Sequence, residues 1–124
     1  MSVAKTHDRG QTLHYPTGKV LGIVDTEAEL KGLIAALNDA GFGEIESLHG
    51  KEGIQLLKRV EKFFFSDIEA VVINRHIYEL EAGHTIVAIK PPPDRVDEAV
   101  SVASRNGARR LVYFGSLAVT WHPK

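Results

Sequence analysis

The stretch Lys19-Val20-Leu21-Gly22-Ile23-Val24-Asp25-Thr26-Glu27-Ala28-Glu29-Leu30 decides the fold class. Its first half is a short apolar run that reads as a strand. Its second half opens a helix. Thr26 followed three residues later by Glu29 is a capping box, in which each side chain satisfies a backbone N–H that the helix leaves unpaired. Leu30, Leu33, Ile34 and Leu37 continue at helical spacing and predict a buried stripe. Gly41 suits the left-handed cap that ends such a helix. Residues 44–49 set Ile45 and Leu48 among polar neighbours and read as a half-buried second strand. The result is one strand–helix–strand unit.

A second unit lies further along. Residues 84–90, with Thr85-Ile-Val-Ala-Ile89 as core, predict a third strand. Pro91-Pro92-Pro93 ends it, because proline brings no N–H to a ladder. Asp94 is the expected cap of the next helix, with Val96, Ala99, Val100 and Ala103 as its buried stripe and Asn106-Gly107 as its stop. Residues 110–114 predict a fourth strand, and 117–121 a fifth strand or an ordered tail. Between the two units, residues 51–65 read as a helix with Ile54, Leu57 and Phe64 near one face. Ser66 with Glu69 is a second capping box and starts a helix that stops at Gly83. The β-branched run Val71-Val72-Ile73 leaves a strand reading open there. Residues 1–12 have no period and read as a flexible tail, with Thr12–Tyr15 as a candidate edge strand; 13–124 form a single domain. The predicted fold is α/β (α+β): a ferredoxin-like two-layer sandwich of two βαβ units, with extra helices between strands two and three. An open α/β sheet with parallel neighbours is the alternative.

The totals narrow the function. The chain has 124 residues, and its 15 basic and 16 acidic side chains leave a net charge of −1. Such a balance lacks the one-sided positive field of a nucleic-acid-binding protein. With no cysteine, disulfides, thiolate metal sites and cysteine nucleophiles are excluded. The start of the chain is polar and carries no apolar signal core. Its apolar runs fall well short of the roughly 20 residues of a membrane helix. The expected location is the cytoplasm, with no membrane contact and no cofactor.

Three segments carry a family resemblance: Val20-Leu-Gly-Ile-Val-Asp-Thr-Glu-Ala-Glu-Leu30, Tyr78-Glu-Leu-Glu-Ala-Gly-His-Thr-Ile-Val-Ala-Ile89, and Asp97-Glu-Ala-Val running to Asn106-Gly-Ala108. Together they resemble YflT-like bacterial stress-protein domains. That resemblance implies a ferredoxin-like fold and a bacterial or archaeal source. It brings no catalytic residue. The Gly-rich apolar stretch often found mid-chain in that family is replaced here by residues 50–65.

Candidate site residues are few. Of six histidines, His76 shares a helix face with Glu79 at i, i+3. With His84 or His122 brought to them by the fold, these would make a His/His/Glu site suited to zinc or another divalent metal. The competing account is a solvated Arg75–Glu79 pair at i, i+4. Asp25, at the end of the first strand, stands where α/β domains often place functional groups; its simpler role is to start the helix. Phe63-Phe64-Phe65 cannot all face one core, so Phe63, Tyr78 and Trp121 are candidates for a ligand pocket or an interface. Tyr113-Phe114 and Trp121 could stack RNA bases beside Arg105, Arg109 and Arg110, but the RNA-binding signature is absent. No catalytic constellation stands out. The expectation is a small stress-related or regulatory binding module, a homodimer joined through the apolar segments 85–89 and 117–121. The alternative is a small metal- or ligand-binding enzyme or sensor using His76, Glu79, His84 and His122.

Overall fold

Val20–Val24 forms the central strand β1, and every one of its residues is buried. The computed structural model describes residues 17–61, 67–115 and 119–122. After β1 come α1 (Glu27–Asp39), β2 (Ile45–Leu48), α2 (Gly50–Glu61), α3 (Asp67–Glu81), β3 (Thr85–Ile89), a single 3-10 turn (Pro93–Arg95), α4 (Val96–Arg105), β4 (Arg109–Phe114) and β5 (Val119–His122). The expected tail, the edge strand at Thr12–Tyr15, Ser66 and the Phe63-Phe64-Phe65 run lie outside the described residues. The helical reading of Val71-Val72-Ile73 holds, because these residues lie inside α3.

The strands form one sheet in the order β2-β3-β1-β4-β5. Every neighbouring pair is antiparallel. β1 and β2 therefore point the same way with β3 between them, and β3 and β4 point the same way with β1 between them. The two strand–helix–strand units interleave. The alternative with parallel neighbours does not form. Nor is Thr85–Ile89 an edge: it is hydrogen-bonded on both sides, Val87 facing Gly22 of β1 and Ser47 of β2.

Both faces of this sheet are covered. Val20, Val24, Val87, Ile89 and Leu111 pack with Leu33 and Leu37 of α1 and with Ala99, Val102 and Ala103 of α4. On the other face, Leu21, Ile23, Ile86, Ala88, Val112 and Phe114 pack with Leu56, Leu57 and Val60 of α2 and with Val72, Ile73, Ile77 and Leu80 of α3. The molecule thus has three layers where two were expected. The segment between β2 and β3 does not merely lengthen a link. Its two amphipathic helices bury the face that a two-layer sandwich leaves to solvent. Burying each large aliphatic side chain there contributes roughly 1.5–3 kcal/mol.

Local signals explain the element ends. Thr26 Oγ1 accepts from the Glu29 N–H at 3.1 Å, and the Glu29 carboxylate accepts from the Asp25 N–H at 3.0 Å. The cap expected from Asp94 is not made: Asp94 sits inside the 3-10 turn, and α4 begins at Val96 without a side-chain cap. Arg95 instead ties two helix ends together. It donates to the Ala40 carbonyl at 2.7 Å, pairs with Glu98, and stands 4.3 Å above the Phe42 ring. Among the described residues no helix is long and apolar enough to cross a membrane.

Candidate functional site

A charged cluster forms at one end of the sheet, where β1 finishes and β3 and β4 begin. It contains Asp25, Glu79, His84, Arg109 and Arg110. Two backbone devices build it.

The first device ends α3. Gly83 adopts a left-handed conformation (φ 95°), which glycine enters without a Cβ penalty. The chain doubles back so that the Gly83 N–H meets the Leu80 carbonyl and the His84 N–H meets the Glu79 carbonyl, each at 3.0 Å. This is the Schellman arrangement. It lays His84 over Glu79, where such motifs ordinarily place an apolar contact. Here the contact is polar: His84 Nδ1 donates to Glu79 Oε1 at 2.7 Å.

The second device opens β4. Leu21 faces Val112 and Ile23 faces Arg109, so β4 holds one residue more than β1 over this interval. Arg110 absorbs the bulge with φ 54°, the one described non-glycine residue at positive φ. Such a conformation costs a side-chain-bearing residue about 1–2 kcal/mol. The effect is to re-aim a side chain. Arg109 now stands across from Ile23, on the α2/α3 face of the sheet, whereas unbroken alternation would turn it to the α1/α4 face.

Arg109 joins the cluster. Its Nη2 donates to Asp25 Oδ1 and, at 3.2 Å, to Glu79 Oε1, while its Nε lies 3.4 Å from Asp25 Oδ2. Arg110 Nε lies 3.7 Å from Glu79 Oε2, and His84 Nε2 lies 3.6 Å from Asp25 Oδ1. Glu79 is the buried member, with 8% of its side chain exposed, whereas Asp25 and Arg110 are nearly half exposed. Burial pushes the Glu79 carboxyl up, but the hydrogen bonds from His84 and Arg109 outweigh it and hold the group below the usual carboxylate range. The Arg109 hydrogen bond holds Asp25 below that range too. Both carboxylates in turn raise the Arg109 guanidinium.

The predicted site residues therefore divide. Glu79 and His84 come together. His76 does not join them. The residue is 98% buried, and its Nδ1 donates to the Val72 carbonyl at 2.8 Å within its own helix. His122 ends β5 opposite Leu111, and Trp121 lies opposite Val112; their side chains, like Phe63, are outside the described residues. Tyr78 is exposed on α3. Among the described residues no three His, Asp or Glu side chains form a group able to hold a metal ion. The Arg109 guanidinium stands where a cation shared by Asp25 and Glu79 would be. Glu79 forms no solvated pair with Arg75; its partners come from β4 and from the turn after α3. Asp25 does more than start a helix, since its carboxylate takes Arg109. Of the arginines weighed for RNA, Arg105 bonds Ser101 on α4 and the other two turn to carboxylates.

Chemically, the cluster orients an imidazole. Glu79 fixes the Nδ1 proton of His84 and leaves Nε2 at the exposed side near Asp25, the arrangement by which a carboxylate positions a histidine base or ligand. No protein-family model, no characterised protein and no solved structure matches the chain.

Proposed function

We propose that the chain is a small regulatory binding module on a ferredoxin-like core. Strands β4-β1-β3-β2, all antiparallel and joined as two interleaved strand–helix–strand units, support that reading of the core. Helices α2 and α3 are its insertion and β5 its extension. A stress-response role of the YflT-like kind is part of the proposal and rests on the three resembling segments.

One observation carries the functional reading. The groups best able to do chemistry are engaged with one another. Glu79 receives His84 and Arg109 with Arg110 close by, and Asp25 receives Arg109. This clasp binds β1, the end of α3 and the start of β4 into one unit. It suits a protein whose conformation responds to a partner better than one that turns over a substrate. The Nε2 atom of His84 favours a second reading, a ligand or metal held by His84 with Glu79 behind it.

Native mass spectrometry of the untreated protein separates the two. A spectrum at the chain's own mass, with whole-number subunit multiples and nothing added, supports the module. A bound metal or organic mass that disappears in His84→Ala overturns it in favour of the second reading.

A further inference from the structure

His76 is the one described histidine enclosed by the core, and the clasp does not use it. Because a carbonyl can only accept, the 2.8 Å contact with Val72 fixes the proton on Nδ1. Nε2 is then a bare lone pair. It is buried with no hydrogen-bond partner among the described residues, in a residue that is 98% buried as a whole. A neutral imidazole tolerates this position; an imidazolium does not, since its second N–H would need an acceptor. Among the described residues, the charged groups that reach the ring are Glu79 and Arg75 on α3 itself and Arg110 from β4. The two arginines oppose a positive ring. Glu79 favours one, but its carboxylate already serves His84 and Arg109. α3 meets α2 and the sheet through apolar side chains such as Leu57, Ile73, Ile86 and Val112, which offer no acceptor.

We propose that α3 is a proton-operated element: uptake of one proton at His76 Nε2 releases the helix from the sheet. This names the stimulus of the responsive module and rests on that reading, but its test is independent of the mass spectrum. The linkage has a definite sign. Burial lowers the affinity of folded His76 for a proton, so the open state binds more protons than the closed one. Opening therefore becomes easier as pH falls below the ordinary imidazole midpoint near ~6.5, by up to about tenfold per pH unit.

The experiment compares wild type with His76→Leu between pH 7.5 and 5.0, by urea unfolding and by exchange of backbone amides. The unfolding constant of wild type should rise relative to the variant as pH falls, by at most about thirtyfold at pH 5, and α3 amides should exchange before those of β1. Parallel pH curves for the two proteins, or α3 and β1 amides opening together, would overturn the proposal. Should His76→Leu not fold, the wild-type imidazole resonances decide. One ring that stays neutral down to the opening transition supports it, and six rings titrating normally in the folded protein refute it.

Discussion

Leu111 fills the space that a side chain at Gly22 would need. A Cβ on residue 22 would stand 2.7 Å from Leu111 Cδ2 and 3.3 Å from the Ala108 Cβ. Glycine in the middle of β1 is thus required by packing across the bulge. Gly22→Ala should cost about 1–3 kcal/mol, measured as a lower urea midpoint with unchanged slope. Leu111→Val in the same chain should recover part of that loss, because the two residues share one space.

Removing the charge of the clasp leaves its cations facing a weaker acceptor. Glu79→Gln should destabilise the protein by about 2 kcal/mol. In a double-mutant cycle with Arg109→Met, the pair should cost clearly less than the sum of the single changes. Strict additivity would show that the 3.2 Å contact contributes nothing.

Acid should loosen the clasp in a defined window. Asp25 and Glu79 both hold their protons less tightly when folded than when unfolded. Their contribution is therefore complete above the unfolded carboxylate range, near ~4, and is lost as pH falls from there through the lowered folded values. Urea midpoints from pH 6 to 3 should fall more steeply for wild type than for Arg109→Gln, which lacks the group that depresses both.

The backbone at Arg110 is the wrong one for a side chain. Arg110→Gly removes the positive-φ penalty of about 1 kcal/mol and gives up a 3.7 Å ion pair on the exposed side. Its melting temperature should equal or exceed that of wild type. Arg110→Val, branched at Cβ, should melt lower than both.

Arg95 should matter more than an exposed arginine usually does. Arg95→Ala loses the Ala40 carbonyl bond and the Phe42 ring contact, so its urea midpoint should fall below that of wild type. Lysine at this position should recover little, since it cannot keep both contacts with one flat group.

What the sequence revealed is what the chain decides locally. The Thr26 capping box, the glycine stops at Gly41, Gly83 and Gly107, and the strand β3 all stand where the residues predict them. The third layer also has a signal in the sequence. Val20–Val24 is apolar on both faces, whereas a strand with one solvated face alternates. The pairing of His84 with Glu79 was also within reach, because a glycine stop at Gly83 returns the next residue to the one four positions before the glycine. Arg109 was not. Its place depends on Arg110 bulging out of β4, and nothing in Arg109-Arg110 marks a positive-φ bulge, whose usual sign is glycine. Strand order and the burial of His76 likewise rest on contacts between distant segments.

The bulge has one more consequence. Substitution can weaken Arg109, but a loss of length at this point need not. Deleting either arginine gives the same chain, in which β4 pairs evenly with β1, Leu111 and the residues after it keep their places, and one arginine still stands opposite Ile23 on the face of the carboxylates. The hydrophobic layers and the bridge between the carboxylates would both survive, and only the longer contact of the second arginine with Glu79 would be lost. The doubled arginine is thus spare length: the strand can lose one codon and still fasten the end of the sheet to the helix above it.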